Sequence, residues 1–407
     1  MLFMKICICV ANFKSDLIEA ISLNIVSLAK KLSSTYGHQV SLLVPGNGPL
    51  NLEKTDVLTW SSYAPEQTYA SKWRIFKNLY LLRRYLKTHA NDYDVFHFHV
   101  GTPLELFLIW LLLPRLAMHR IATVWQPYLG LGETLRLFQK FKFSLPQITQ
   151  HFVFNAWPLV PFFALGQRFF QRLIYPTHYQ SSQARYAPDS KKTVMANGVA
   201  DLYREESRAT QKDTSPLRVL YIGHATAVKG VDVLLNALKI AIDSGVSLQA
   251  TIALSNFGDP APILRLINDN GLREMITVKG TIDIADEFAA HDVFVLPLLA
   301  TVGTTCIPNT LLESFSAGVA VITSDLPTLR EADPADMNLV FPTGNAKALA
   351  ERLKDLDQNR MRLEKLRAHN RETYENTYTL DLYAAATADY YQTLASGSAA
   401  QKNGTPS

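Results

Sequence analysis

The chain is poor in several things, and each scarcity excludes a class of protein. It has three cysteines in 407 residues, Cys7, Cys9 and Cys306. Three thiols so placed make neither a disulfide framework nor a zinc-ligand spacing, which suits a reducing compartment. Long hydrophobic runs are missing as well: the most apolar stretch, 104–113, is too short to cross a bilayer and is interrupted by Glu105. The opening Met1-Leu2-Phe3-Met4-Lys5 leads straight into Ile6-Cys7-Ile8-Cys9-Val10, too short and too β-like for a secretory leader. Charged residues make up only 19% of the chain against 48% apolar, which excludes wholesale disorder and supplies two buried cores. No nucleic-acid-reading motif occurs, and no repeat beyond two α/β halves.

What charge there is sits unevenly. Residues 1–200 carry 21 Lys and Arg against 10 Asp and Glu, whereas residues 201–407 carry 19 against 26. A basic first half joined to an acidic second half predicts an anionic partner for the first, either a phosphate-bearing substrate or an anionic membrane surface. Ser71 to Ala90 reads as a basic helix, with Ile75, Leu79, Leu82 and Leu86 as its apolar stripe and Lys72, Arg74, Lys77, Arg83, Arg84 and Lys87 around the rest. With the Phe- and Pro-rich section from Leu135 to Tyr175 it is a candidate membrane-facing surface; the alternative is a solvated face over ordinary core.

Apolar runs alternate with helical periodicity along the whole chain. Strands are expected at Lys5–Val10, Val40–Val44, Asp94–Val100 and Ile121–Trp125, with helices between them. After a polar, charged stretch from Asp201 to Pro216, a second alternation begins at Arg218. It gives strands at Val219–Ile222, Gln249–Leu254, Ile276–Lys279 and Val293–Pro297, separated by helices. Such alternation implies two doubly wound, mostly parallel sheets. The expected divisions are a first domain 1–200, a linker 201–216, and a second domain 217–375. A last helix, 376–396, is expected to pack back toward the first domain, followed by a disordered tail 397–407.

The most informative stretch is Pro308-Asn309-Thr310-Leu311-Leu312-Glu313-Ser314-Phe315-Ser316-Ala317-Gly318-Val319-Ala320-Val321. It reads as a helix capped by Asn309 or Thr310, a glycine stop at Gly318, and a buried strand. A strand, a small polar loop and a helix start make an anion site, because several backbone N–H groups point along the helix dipole. Glu313, one turn in, faces the same mouth. Lys229 follows another strand and is a suitable cation for a phosphate; otherwise it is an exposed helix-start lysine. In the first half, His97 and His99 stand two apart at the C-terminal end of a strand, where open α/β sheets place ligands.

Three motifs in order carry a resemblance. Tyr221-Ile222-Gly223-His224-Ala225-Thr226-Ala227-Val228-Lys229-Gly230-Val231-Asp232 is similar to the loop that opens the second domain of glycosyltransferase family 4, the group 1 retaining glycosyltransferases. Pro308 to Val321 resembles that family's proline–asparagine … leucine–glutamate helix, and Asn197-Gly198-Val199 its asparagine–glycine–valine. Ala196 to Ala332 carries most of the match. The resemblance implies the GT-B fold, two Rossmann-like domains facing a central cleft. It implies a metal-independent, retaining sugar transfer from a nucleotide-sugar to a glycan or lipid-linked acceptor in cell-surface polysaccharide or glycoconjugate synthesis, with no cofactor and no nucleic-acid partner. The expected location is cytoplasmic, peripheral on the inner face of the membrane.

Carried over by position, the resemblance implies that Gly223, His224, Lys229, Thr305, Asn309, Thr310, Leu311 and Glu313 bind the donor. Lys229 would stabilise the departing diphosphate and Glu313 accept hydrogen bonds from the ribose. Asn12, His97 and His99 are assigned to the acceptor, His99 also as a catalytic group. Three positions depart from the pattern. Thr305 stands where the family has its first glutamate, His224 where it has a phosphate-binding arginine, and Ala11-Asn12-Phe13-Lys14-Ser15 where it has a glycine pair. These departures motivate a second reading, an inactive relative acting as a partner or scaffold. A third, a sugar-nucleotide epimerase, lacks matching carboxylates.

Overall fold

The computed structural model describes residues 3–10, 20–46, 55–64, 74–112, 119–132, 135, 156–204, 216–301 and 304–403. Asn12, Lys72 and most of 135–155 lie outside them. The chain divides into two compact units, Met1–Gly198 with Leu380–Ser407, and Val199–Thr379.

Unit 1 is built on seven parallel strands, β1 (Lys5–Val10), β2 (Gln39–Pro45), β3 (Leu58–Ala64), β4 (Val95–Val100), β5 (His119–Val124), β6 (Arg172–Tyr175) and β7 (Lys192–Val194). They lie in the order β3-β2-β1-β4-β5-β6-β7. Among the described residues, helices α1 (Ala20–Ser34), α2 (Arg74–His89), α3 (Pro103–Leu112), α4 (Val160–Gly166) and α5 (His178–Gln183) lie between them in the chain. The strands β3, β6 and β7 are additions to the sequence-based expectation; they extend both edges of the sheet. Central strands are apolar on both faces, as a sheet covered on both sides requires. Phe96, Phe98, Val100 and Val124 pack with Leu79, Leu82, Leu86 and Leu106 on one side. Ile6, Ile8, Val95 and Ile121 pack on the other with Ile25, Leu28, Ala384 and Tyr391.

Unit 2 has six parallel strands, β8 (Leu217–Ala225), β9 (Leu248–Gly258), β10 (Ile276–Lys279), β11 (Val293–Leu296), β12 (Ala320–Ser324) and β13 (Leu339–Phe341). Their order is β10-β9-β8-β11-β12-β13. The helices are α6 (Val231–Asp243), α7 (Ala261–Asp269), α8 (Ile284–Ala290), α9 (Asn309–Ser316), α10 (Pro327–Glu331), α11 (Ala346–Gln358) and α12 (Arg360–Thr373), the last continued by a π-helical turn, Tyr374–Tyr378. The final helix, α13 (Leu380–Asn403), belongs to unit 1.

Two expectations need correcting. Of the expected linker 201–216, residues 201–204 belong to unit 2, and 205–215 lie outside the described residues. The Arg371 guanidinium donates to both carboxylate oxygens of Asp201, at 2.6 and 2.8 Å, and to the Ser316 carbonyl at 2.6 Å, and Arg204 pairs with Asp286 at 2.6 Å. These charged side chains look like linker composition but are ion-paired anchors. The tail is likewise shorter than expected, because α13 runs on to Asn403. Its last residues include Ala399, Ala400 and Gln401, all good helix formers.

Candidate active site

In each sheet the strand order reverses at one place. In unit 2 this is between β8 and β11, and in unit 1 between β1 and β4. At such a switch point the connections leave in opposite directions, so a crevice opens at the strands' C-terminal ends. Of the residues singled out in unit 2, Gly223 and His224 lie at the C-terminal end of β8, Lys229 follows it, and Thr305 to Glu313 follow β11; His99 is the penultimate residue of β4.

After β8 the chain makes one 3₁₀ turn, Ala227–Lys229, and Gly230 then starts α6 with φ +66°. Two contacts lock this turn to the segment after β11. The Leu299 N–H donates to the Val228 carbonyl at 2.8 Å, and Gly230 lies directly against the Pro297 carbonyl. Lys229 is thereby held half-buried. Burial pushes its ammonium down to about 8, and no described residue pairs with it.

Glu313 sits in the second turn of α9. Its N-cap is Pro308, with no side-chain cap bond, so neither Asn309 nor Thr310 caps the helix as expected. The reason is local: proline's fixed φ gives the extended cap conformation by itself. The amide of Leu311 is already bonded to the Pro308 carbonyl at 3.0 Å, and the Leu311 side chain is core. Asn309 and Thr310 therefore lead the helix at its positive end. At the far end the Val319 N–H bonds to the Ser314 carbonyl at 3.0 Å and the Gly318 N–H to the Phe315 carbonyl at 2.8 Å, with Gly318 at φ +60°. This Schellman closure fixes the helix length and hence the depth of Glu313. Glu313 is buried, its carboxyl is pushed up to about 7 by desolvation, and it has no side-chain partner among the described residues.

The neighbours are more constrained. A β-carbon on Gly223 would lie 2.4 Å from the Tyr221 hydroxyl, which itself donates to the His224 carbonyl at 3.2 Å. Glycine is what lets that tyrosine brace the loop. His224 Nδ1 shares a short hydrogen bond with the Ser255 hydroxyl. Ser255 was not foreseen, because β9 extends to Gly258 and not to Leu254. The Thr305 hydroxyl donates to the Ile307 carbonyl at 2.9 Å and so braces its own loop.

In unit 1 the two histidines prove to be interior groups. His97 Nδ1 shares a hydrogen bond with the Tyr391 hydroxyl at 2.6 Å, and Nε2 with the Thr123 hydroxyl at 2.7 Å. It has no nitrogen left to offer an acceptor, because α13 covers this face of β4. Trp125 Nε1–H donates to His99 Nδ1 at 3.1 Å, so the neutral ring carries its proton on Nε2, which is buried and without a partner. Burial pushes His97 down to about 3, and burial plus the neighbouring His97 pushes His99 well below the ordinary range. Both are neutral imidazoles near pH 7. Glu105 is also buried, pushed up to about 7, and accepts from the Gly101 N–H at 3.0 Å at the start of α3. Among the described residues no group of three or more His, Cys, Asp or Glu is disposed to hold a metal, and no helix is long and apolar enough to cross a membrane.

Two doubly wound parallel sheets in one chain, each with a single switch point, define the class as GT-B architecture. Residues 216–359 match the family model described as "Glycosyl transferases group 1". The chain is 28% identical over 180 residues to WcaL of Escherichia coli (strain K12), named as a colanic acid biosynthesis glycosyltransferase. That alignment covers 42% of this chain and 43% of WcaL, so the chain spans less than half of its curated relative. Two solved structures share the fold. Sucrose-phosphate synthase from Thermosynechococcus elongatus superimposes with a TM-score of 0.76 at 17% identity, covering 97% of this chain and 100% of that one. Anabaena HepE in complex with UDP-glucose gives 0.69 at 14% identity, covering 96% and 100%.

Proposed function

We propose that this protein is a retaining glycosyltransferase that moves a sugar from a nucleotide-sugar to a glycan or lipid-linked acceptor in cell-surface polysaccharide synthesis, without a metal. The observation that carries the reading is the pair Lys229, half-buried, and Glu313, buried, two desolvated ionisable groups at the switch point of unit 2 with no side-chain partner among the described residues. Desolvated ionisable groups without a protein partner concentrate at ligand sites, where the ligand supplies the compensation. A nucleoside diphosphate does so for both: its phosphates meet the ammonium and the amides leading α9, and its ribose hydroxyls donate to the carboxylate. The names of the relatives support this, since WcaL is named for colanic acid biosynthesis and HepE was solved with UDP-glucose.

The experiment is a thermal-shift screen with UDP, GDP, UDP-glucose, UDP-N-acetylglucosamine and GDP-mannose, repeated on Lys229→Ala. A ligand that binds only the native state must raise its melting temperature. A shift with one base, lost in the variant, is the expected result; a shift of equal size in the variant overturns the role given to Lys229. A second reading, an inactive relative, is favoured by Thr305, whose hydroxyl is committed to Ile307 in place of a carboxylate. Turnover of any sugar nucleotide eliminates it.

A further inference from the structure

We propose that unit 1 docks on an anionic lipid surface through one face made by α3, α4 and the outer stripe of α2. The inference rests on exposure and charge, and is independent of the transferase reading.

The apolar part of this face is centred on the crossing of α3 and α4. Gly166, at the end of α4, approaches α3 so closely that a β-carbon there would lie 2.3 Å from the backbone of Leu106 and Phe107. That crossing brings the Phe107 ring to 5.1 Å from Phe162 and 5.7 Å from Trp110. The inner residues of both helices, Leu106, Ile109 and Phe163, are buried in the core. The outer ones are not: Leu111 is 51% exposed, and Trp157 and Phe162 are each 43% exposed. Pro158 and Pro161 are exposed beside them. Scattered apolar residues need no explanation, but an aromatic cluster continued outward by Leu, Trp and Phe marks an interaction surface.

The charge beside it points to the occupant. On α2, Lys77, Tyr80, Arg84 and Lys87 fall at intervals of three and four residues and all are exposed, Tyr80 at 64%. The opposite side of the helix, with Leu79, Leu82 and Leu86, is buried. The helix contains no acidic residue. It is fixed to the apolar cluster by Arg83, whose Nη1 donates to the Leu112 carbonyl at the end of α3 at 3.0 Å. Arg168, just past α4, is exposed as well. Cations that reach headgroup phosphates beside aromatic side chains that enter the headgroup boundary are the chemistry of an interfacial surface.

The test uses the full chain and sedimentation with vesicles of phosphatidylcholine, pure or containing about one-third phosphatidylglycerol. Binding is expected to the anionic vesicles at low salt and to be lost at high salt. The variants Arg84→Glu/Lys87→Glu and Leu111→Ser/Phe162→Ser each weaken it about tenfold or more. The first pair leaves the melting temperature unchanged because both side chains are exposed, and the second lowers it modestly through loss of the Phe162–Phe107 contact while the protein stays folded at the assay temperature. A blue shift of tryptophan emission on binding should shrink in Trp157→Phe. Binding to neutral vesicles as strong as to anionic ones, no binding at low salt, or indifference to both variant pairs overturns the proposal. Capture by a soluble acidic protein with no vesicle binding also overturns it, and assigns the face to that class of partner.

Discussion

A β-carbon placed on Gly230 would lie 1.9 Å from the carbonyl oxygen of Pro297, so the turn carrying Lys229 and the segment leaving β11 touch through a glycine that has no substitute. The same residue has φ +66°, which other residues also resist. Gly230→Ala is therefore expected to destabilise the protein by more than about 3 kcal/mol and to abolish the nucleotide-induced thermal shift. Gly245 is the control, since its φ is +85° but nothing lies within 4 Å of its would-be β-carbon. Gly245→Ala should cost only about 1–2 kcal/mol and leave nucleotide binding intact. Equal melting losses would mean that the Pro297 contact is relieved by movement of the turn.

On the proposed reading, the free protein engages a nucleotide with Lys229 protonated and Glu313 ionised. Glu313 ionises through about pH 7 and Lys229 loses its proton through about pH 8. The pH profile of kcat/KM, which reports the free enzyme, should be a narrow bell between these values. Glu313→Gln should lower the rate and remove the acid limb. A profile flat from pH 6 to 9 would contradict both assignments.

The same two groups lower stability when no ligand is bound. Glu313 titrates at about 7 in the fold against an ordinary 4.5, so its protonated form is favoured by folding. The stability it supports is present below pH 4.5 and lost as pH rises through 7. Lys229 has the opposite sign, because its pKa falls to about 8 from 10.5: stability rises as pH climbs from 8 to 10.5. At pH 7.5 both are mostly charged and have no side-chain partner among the described residues. Glu313→Gln should then raise the stability of the unliganded protein by roughly 1–3 kcal/mol, seen in urea melts, while nucleotide binding falls.

Acid should act on unit 1 through His97. Its pKa is lowered from 6.5 to about 3, so the unfolded chain binds the extra proton and stability is lost as pH falls from 6.5 toward 3. The loss approaches but does not exceed about 1.4 kcal/mol per pH unit from this residue. His97→Gln, whatever its stability at pH 7, should show a shallower slope in denaturant melts over that range. An unchanged slope would shift the effect to His99, its buried neighbour.

The parts of the fold legible in the sequence are those with a strong local period. Val293–Leu296 is a short apolar run between turn residues, and Arg360–Thr373 has helical spacing and an asparagine cap whose side chain accepts from the Arg362 amide. β3 gave no such signal, because an edge strand reading Leu-Thr-Trp-Ser-Ser-Tyr-Ala is half polar and only half-buried. Three-residue β7 is too short to show a period at all.

At the candidate site, Lys229 and Glu313 were legible because motif spacing fixes them to a turn and a helix. The interior character of His97 was not, since the residue that closes over it, Tyr391, is 294 positions away. Nor was the anchoring of Asp201 and Arg204, whose polar surroundings resemble a linker until Arg371 and Asp286 are brought beside them. In both cases the deciding partner is distant in sequence.

Because α13 belongs to unit 1, the order of synthesis does not follow the order of the units. Ribosomes release every residue of unit 2 before the 24 residues of α13, so unit 2 has all its chain while unit 1 is still unfinished. During that interval the face of β1 and β4 bearing Ile6, Ile8, Val95 and His97 lacks the helix that later covers it. A nascent chain halted near Thr379 would carry one complete domain tethered to another whose apolar sheet face is covered, among the described helices, by α1 alone, the natural substrate for a chaperone at the exit tunnel.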